Sequence, residues 1–352
     1  MNFKLIVFWL LLRYKFTINN NYFKKTFIFL SKSMACFLFT SFFFRLVPES
    51  KENNRFRRAQ RTCKNTLFFL NILFCTLFFR IFESEMIGVY DSGVGGLSVW
   101  KELRAAMPAE DFCYVSDGAY CPYGPKDPAF VVDRATAVSR FLIGRGAEII
   151  VVACNTATAA AISTLRSSFA IPFVGMEPAL KPAALRSQSG VVGVLATAGT
   201  FKGRLYLNTL ARFSGRVKVI EQVGTGLVEL VERGEVAGPE AESLVGRYVR
   251  PMLEAGADHI VLGCTHYPFL TGTIARIVDG RAAIVNPAPA VARQAQRVLA
   301  DLRERTGKKQ PAGKPGLSTF FSTGEDTVLR QLVRQIAGPQ ADSYLYHSLY
   351  II

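Results

Sequence analysis

Two cysteines, Cys154 and Cys264, lie in nearly matching stretches of the sequence. RGAEIIVVACNTA spans residues 145–157 and AGADHIVLGCTHY spans residues 255–267, so each cysteine ends an apolar run and precedes a small polar pair. A thiol has an ordinary pKa of about 8.5, which a neighbouring cation or a helix N-terminus can bring towards neutrality. We therefore expect each thiol to accept and donate protons.

Two acid/base groups on opposite faces of one carbon atom suit the inversion of a stereocentre. One group removes a proton from one face while the other returns a proton to the opposite face, and the roles exchange when the direction reverses. His266, two residues after Cys264, can orient or tune that thiol. Asp91, predicted at a strand end, is interpreted as a polar group directed into the cleft that would hold the two thiols. The turn PYG at 122–124 is either a carboxylate-binding segment or an ordinary turn.

From Met86 onwards, predicted strands alternate with predicted helices, which indicates an α/β fold with two similar parallel-sheet domains. Gly88 precedes Cys154 by 66 residues and Gly193 precedes Cys264 by 71 residues, so the halves run nearly in register. Ligands of parallel α/β sheets collect at the carboxyl ends of the strands. If the halves face each other about a pseudo-twofold axis, the two thiols lie on opposite sides of one cleft, each at a strand-to-helix junction. A single helix is predicted through FKGRLYLNTLARF.

Residues 1–85 differ in composition from the rest of the chain. They contain no glycine, 18 of the 28 phenylalanines and +10 of the formal +15 charge. Their apolar runs are too short or too interrupted for the roughly 20 residues of a membrane span. We expect this segment to lie outside the fold, as the product of an extended reading frame with the natural start at Met86; a genuine membrane or targeting extension is the alternative. The body carries only +5, so we expect neither nucleic acid nor membrane as its partner.

Other motifs favour simpler interpretations. The remaining cysteines are expected to be small buried hydrophobic residues, and Cys113 and Cys121 lack the Cys-x-x-Cys or His-pair spacing of a zinc site. The DSGVGG loop lacks both the Gly-Lys-Ser/Thr ending of a phosphate loop and the spacing of a dinucleotide-binding loop. We therefore expect no nucleotide site there.

Five motifs in order resemble glutamate racemase, the cofactor-independent enzyme that makes D-glutamate for bacterial peptidoglycan. They are IGVYDSGVGGLSV (87–99), CPYG (121–124), VVACNTA (151–157), LATAGT (195–200) and GCTHYP (263–268). The resemblance implies a first domain at 86–185, a second at 186–280, and a final segment at 281–352 that returns to the first. It also implies a cytoplasmic enzyme with glutamate as its small-molecule substrate and no cofactor, neither pyridoxal phosphate nor metal. A homodimer is left open.

The resemblance assigns roles by position. Cys154 and Cys264 match the two catalytic thiols, with Asp91 and His266 as their assistants and Glu232 as a further acidic helper. The positions that match the substrate-binding pairs are Asp91, Ser92, Tyr123, Gly124, Asn155, Thr156, Thr265 and His266.

The sequence departs from the family pattern around Asp117, which could alter how the cleft closes, and at NPAPA (286–290). Two alternatives to a glutamate racemase stay open. One is a sibling racemase that acts on aspartate or a hydantoin with the same paired cysteines, although the CTH of the second motif favours glutamate. The other is a non-catalytic binding protein in which the cysteines only cap buried strands.

Overall fold

The computed structural model describes residues 85–308, 313 and 315–351. The predicted N-terminal extension, residues 1–85, lies outside the described residues except for Glu85. The strands are β1 (Met86–Asp91), β2 (Asp111–Ser116), β3 (Ala147–Val152), β4 (Phe173–Gly175), β5 (Val191–Ala196), β6 (Lys218–Val223), β7 (His259–Gly263), β8 (Ala283–Val285), β9 (Ser318–Ser322) and β10 (Leu345–Ser348). The helices are α1 (Leu97–Ala106), α2 (Pro128–Gly144), α3 (Asn155–Ser168), α4 (Leu180–Arg186), α5 (Ala198–Phe201), α6 (Arg204–Phe213), α7 (Leu227–Glu232), α8 (Pro239–Glu254), α9 (Thr271–Val278), α10 (Ala288–Thr306) and α11 (Thr327–Ala337).

The strands form two parallel sheets. The first has the order β10-β9-β2-β1-β3-β4 and the second has the order β6-β5-β7-β8. Four strands of the first sheet therefore follow the same order as the whole second sheet, with β9 and β10 added beyond β2. This repetition confirms the predicted fold class of two similar parallel-sheet α/β units.

The register of the two central strand pairs makes the two cysteines equivalent. Gly88 of β1 pairs with Ile150 of β3, and Gly193 of β5 pairs with Ile260 of β7. Cys154 and Cys264 each lie four residues beyond the paired isoleucine, at the carboxyl edge of their sheet. The sequence repeat is thus a repeat in three dimensions.

The central strands are apolar because helices cover both faces of the first sheet. All six residues of β3 are buried, as is usual for a parallel strand between two helical layers. Residues of β1 and β3 alternate between two hydrophobic clusters, one shared with α1 and α10 and the other with α2 and α3. This packing fixes the strand ends from which the polar residues emerge.

The predicted helix through FKGRLYLNTLARF is two helices, so that prediction was wrong. α5 ends at Phe201 and α6 begins at Arg204, after Gly203 in an extended conformation. A side chain at Gly203 would overlap Ala159 of α3, so the glycine allows the junction between α5 and α6 to lie close to α3. Close packing therefore outweighs the helical pattern of the sequence.

The domain limits expected from the sequence stay a prediction. β9 and β10 lie in the first sheet, as expected for a returning segment, whereas β8 at 283–285 pairs with β7 of the second sheet. Among the described residues, no helix combines the length and the hydrophobicity needed to cross a bilayer.

Candidate active site

Both thiols line one cavity between the carboxyl edges of the two sheets. The space within it, together with the part open to solvent, is about 250 Å³. The lining residues are Ser92, Pro122, Tyr123, Gly124, Cys154, Asn155, Thr156, Thr197, Val228, Cys264, Thr265 and His266. Nine of the eleven predicted site residues are in this lining, and the other two, Asp91 and Glu232, contact lining residues from behind. The cavity thus brings the whole predicted set together.

Cys154 is the N-cap of α3, as the strand-to-helix pattern predicts. The backbone N–H of Ala157 donates to its sulfur at 3.4 Å, and the thiol contacts the Ser92 hydroxyl at 3.6 Å. Burial and the nearby Asp91 charge outweigh these contacts and raise the pKa of Cys154 to about 12. The expected shift towards neutrality is therefore not found here, and at neutral pH this thiol holds its proton.

Cys264 has a different neighbour, and no helix begins behind it. The residues Tyr267–Leu270 form a 3-10 turn, and α9 begins only at Thr271. The expected α-helix directly after Cys264 was wrong, because its first turn would need an N–H from Pro268, which has none. Instead, the His266 ring lies against the thiol, with its Nδ1 3.7 Å from the sulfur. An imidazole within this distance can exchange a proton with a thiol.

Glu232 holds the other side of the His266 ring. Its Oε1 lies 2.6 Å from Nε2 of the imidazole and accepts a hydrogen bond from the Val94 N–H at 2.7 Å. Burial disfavours the charged ring, but contacts with Cys121, Cys264 and Glu232 outweigh it and raise the pKa of His266 well above its usual range. Burial alone would raise the pKa of Glu232, but the hydrogen bond to His266 lowers it instead. Both shifts favour an imidazolium beside a carboxylate.

The glycine-rich loop after β1 makes room for this pair. A side chain at Gly95 would overlap the His266 ring, and a side chain at Gly93 would overlap the Glu232 carboxylate. The loop thus has a structural reason for its glycines.

Asp91 lies at the end of β1 and links the two halves. One carboxylate oxygen accepts from the Thr265 hydroxyl and the other from the Gly93 N–H, both at 3.0 Å. Complete burial raises the pKa of Asp91, while the positive charge of His266 opposes that effect. The carboxylate positions the Thr265 segment that follows Cys264.

Tyr123 faces the cavity, but its hydroxyl is bound elsewhere. It donates to the Asp117 carboxylate and accepts from the Tyr90 hydroxyl at 3.0 Å. Asp117 is fully buried and also forms two hydrogen bonds with Arg134, at 2.7 and 2.9 Å. The sequence departs from its family around Asp117, and here that residue anchors the wall formed by CPYG.

Uncharged polar groups make up the wall beside Cys154. The side-chain oxygen and nitrogen of Asn155 are buried, and neither has a hydrogen-bond partner among the described residues. The Thr156 hydroxyl lies 2.9 Å from that of Thr197, which caps α5 and joins the two halves on this side. An amide with free donor and acceptor groups is suited to bind a polar ligand.

Sequence reasoning missed three lining residues: Pro122, Thr197 and Val228. Pro122 and Thr197 lie within the motifs CPYG and LATAGT, and Thr197 follows β5 at the position that Ser92 has after β1. This equivalence was available from the repeat. Val228 is a buried apolar residue of α7, and nothing in the sequence separates it from other core residues.

Comparison with known proteins gives a consistent result. The family model for Asp/Glu/hydantoin racemase matches residues 94–295. A glutamate racemase from Methylococcus capsulatus is 50% identical over 238 residues, which cover 68% of this chain and 86% of the relative. A glutamate racemase from Pseudomonas aeruginosa is 47% identical over 218 residues, covering 62% of this chain and 82% of the relative.

Solved structures are similar over most of the described residues. A crystal structure of Escherichia coli glutamate racemase, in complex with L-glutamate and the activator UDP-MurNAc-Ala, gives a TM-score of 0.65 at 30% identity; the match covers 76% of this chain and 99% of that one. Glutamate racemase from Francisella tularensis in complex with D-glutamate gives 0.63 at 26% identity, covering 77% and 98%.

Proposed function

The chain belongs to the Asp/Glu/hydantoin racemase family, and on that premise we propose that it interconverts L-glutamate and D-glutamate by proton transfer between two thiols. The observation that carries the proposal is that Cys154 and Cys264, which end equivalent strands of the two sheets, line one cavity. The relatives named glutamate racemase favour glutamate as the substrate.

The proposed reaction consists of two proton transfers at Cα. The thiolate of one cysteine takes the α-proton, and its sulfur gains the S–H bond that Cα loses. The carbanionic carbon takes the proton of the opposite thiol, which becomes a thiolate. Because the two thiols together supply the base and the acid, neither pyridoxal phosphate nor a metal takes part. The reverse reaction exchanges the two roles.

His266 and Glu232 would serve the Cys264 side of this reaction. When Cys264 is the base, its thiolate lies beside the imidazolium, which stabilises the negative charge. Among the described residues that line the cavity, His266 is the one side chain that can carry a positive charge. It therefore also lowers the energy of a transition state with carbanion character. Glu232 keeps the ring charged and oriented.

Substrate carboxylates would be bound by uncharged donors. The candidates are the Asn155 amide, the hydroxyls of Ser92, Thr156 and Thr265, and main-chain groups of the segment at 123–124. The Tyr123 hydroxyl is not among these candidates, because it donates to Asp117 and accepts from Tyr90. Such donors, fixed before the reaction, stabilise the charge that develops on the α-carboxylate.

As the family resemblance implies, D-glutamate would supply peptidoglycan synthesis. The cytoplasmic location and the homodimer stay predictions, which cell fractionation and sedimentation equilibrium would test.

The proposal is tested by incubating the full-length protein with L-glutamate, without added cofactor, and following circular dichroism. We expect the signal to decay to zero, because the two enantiomers are equally stable and the equilibrium mixture contains equal amounts. Decay of the signal with L-aspartate but not with L-glutamate would identify aspartate as the substrate. No decay with any amino acid tested would leave a binding protein whose cysteines are structural.

A further inference from the structure

A third thiol lies beside the His266–Glu232 pair, and neither the sequence motifs nor the proposed reaction gives it a role. The Cys121 sulfur is 3.6 Å from Oε1 of Glu232, which is itself 2.6 Å from Nε2 of His266. The three donor atoms all lie within 4.8 Å of one another. Sulfur, nitrogen and carboxylate oxygen are the three kinds of atom that Zn²⁺ binds in proteins.

We propose that Cys121, Glu232 and His266 form an inhibitory site for Zn²⁺ at the edge of the cavity. The site would use three protein ligands and leave a fourth position for water. Zinc would act here as a regulator that removes His266 from catalysis, and not as a cofactor.

The distances suit a tetrahedral ion. With Zn–S of about 2.3 Å and Zn–N and Zn–O of about 2.0–2.1 Å, tetrahedral ligand pairs lie about 3.6 Å apart for sulfur and oxygen and about 3.3 Å apart for nitrogen and oxygen. The observed sulfur to oxygen distance is 3.6 Å, and the nitrogen to oxygen distance of 2.6 Å needs a small opening. The ion would lie between groups that are already adjacent.

The surroundings also allow an ion to enter and be held. Cys121 is partly exposed, and the Glu232 side chain is 24% exposed, so both are accessible to solvent. Gly93 leaves the space beside two of the donors, since a side chain there would overlap Glu232 and crowd the Cys121 sulfur. The Val94 N–H fixes Glu232 from outside the donor set, which is the kind of support that orients metal ligands.

Metal binding would change the Cys264 side of the proposed reaction. A Zn–S bond forms at Cys121 as its proton leaves to solvent, and a Zn–N bond forms at Nε2 as the proton shared with Glu232 also leaves to solvent. The ring is then fixed to the ion and can no longer act as the free imidazolium partner of Cys264. Inhibition therefore rests on the proposed function, whereas metal binding itself does not.

Co²⁺ replaces Zn²⁺ and reports its ligands by absorbance, so it tests binding without reference to activity. Titration of the metal-free full-length protein with Co²⁺ should give a thiolate-to-cobalt charge-transfer band and the visible bands of a tetrahedral ion, and Zn²⁺ should bleach both. C121S should abolish the charge-transfer band and weaken Zn²⁺ binding by at least about 10-fold, because loss of an outer hydrogen-bond partner alone costs about 10–100-fold. C113S, which changes a buried thiol elsewhere, should leave both unchanged.

The same variants separate the possible outcomes. A band that persists in C121S but disappears in C154S or C264S would assign the metal to the paired thiols and overturn the proposal, as would the absence of any band in the unchanged protein. For inhibition, each variant is compared with its own rate in a chelator, and C121S should need at least about 10-fold more Zn²⁺ than C113S. If the protein has no racemase activity, the proposed function fails while the absorbance result still decides the metal site.

Discussion

The two sides of the cavity share a strand order but differ in what surrounds their thiols. Cys154 caps a helix, and its sulfur forms hydrogen bonds with a hydroxyl and a backbone N–H. Cys264 precedes a 3-10 turn and contacts the His266 ring, which Glu232 holds. The repeat therefore fixed where the thiols lie, and the residues after each strand determined their electrostatic surroundings.

This difference assigns unequal tasks to equivalent positions. The raised pKa of Cys154 keeps its proton in place and makes it the ready acid. The charged ring beside Cys264 gives that sulfur a partner for its thiolate. We thus propose a symmetric reaction in a site whose two thiols have different surroundings. The experiments below test how this difference affects the rate and the stability.

The largest effect is expected from removing either thiol, where the two sides should behave alike. Cys154→Ala and Cys264→Ala should each lower the racemisation rate by about 10²–10⁴-fold, which is the contribution of a positioned acid/base group. Circular dichroism of L-glutamate measures the rate. Cys113→Ala is the matched control and should stay active; a similar loss there would point to a general effect of removing thiols.

The next largest effect should come from the glycine that makes room for His266. Gly95→Ala forces the ring away from Cys264, and a displacement of about 1 Å can cost about 10²-fold in rate. Gly144→Ala is the control, because a side chain there meets nothing within 4 Å. Equal rates for both variants would mean that the position of His266 is unimportant.

A smaller effect, with a characteristic pH dependence, is expected from Glu232→Gln. Loss of one charged hydrogen bond should lower the rate by on the order of 10-fold and the free energy of unfolding by about 1.5–3 kcal/mol. The raised pKa of His266 contributes stability below its ordinary value of 6.5 that is lost at higher pH, and the lowered pKa of Glu232 contributes stability above 4.5 that is lost at lower pH.

The difference in the free energy of unfolding between the unchanged protein and Glu232→Gln should therefore be greatest between pH 4.5 and 6.5. Urea unfolding at a series of pH values measures it. A difference that does not change with pH would show that the pair is not charged in the native protein.

The smallest effect on kcat should come from the wall that carries Tyr123, which lies beside neither thiol. Asp117→Asn weakens the bonds of this residue to Tyr123 and Arg134, which anchor CPYG, and should raise KM about 10-fold, equivalent to about 1.4 kcal/mol, with little change in kcat. Steady-state kinetics separate the two constants. A fall in kcat at unchanged KM would assign the network to the chemical step.

Much of the fold could be predicted because its signals are local. The apolar β-branched run before Cys154 and its copy before Cys264 indicated buried parallel strands, and both were found. The break at Gly203 and the turn after Cys264 could not be predicted in the same way. The first depends on the approach of Ala159 from another helix, and the second on one proline within an otherwise helical pattern.

The site was predictable where a motif ends a strand and less so where the contact is distant. The neighbourhood of Cys154 and Cys264 followed from the repeat. Glu232 lies 34 positions from His266 in the chain, so only the family resemblance indicated that Glu232 belongs to the site, and its contact with His266 was not predicted. The roles of Gly93 and Gly95 depend on the same distant contacts, which explains why the loop's purpose could not be derived from its spacing.

The central claim is that the two thiols face opposite sides of one carbon atom. The most direct test is NMR of the α-proton of L-glutamate and D-glutamate in deuterated water with Cys154→Ala and Cys264→Ala. A protein with one remaining thiol can exchange the proton only on the face that this thiol reaches, so we predict that one variant deuterates one enantiomer and the second variant deuterates the other. Exchange of the same enantiomer by both variants, or undiminished racemisation by either, would contradict the two-thiol account.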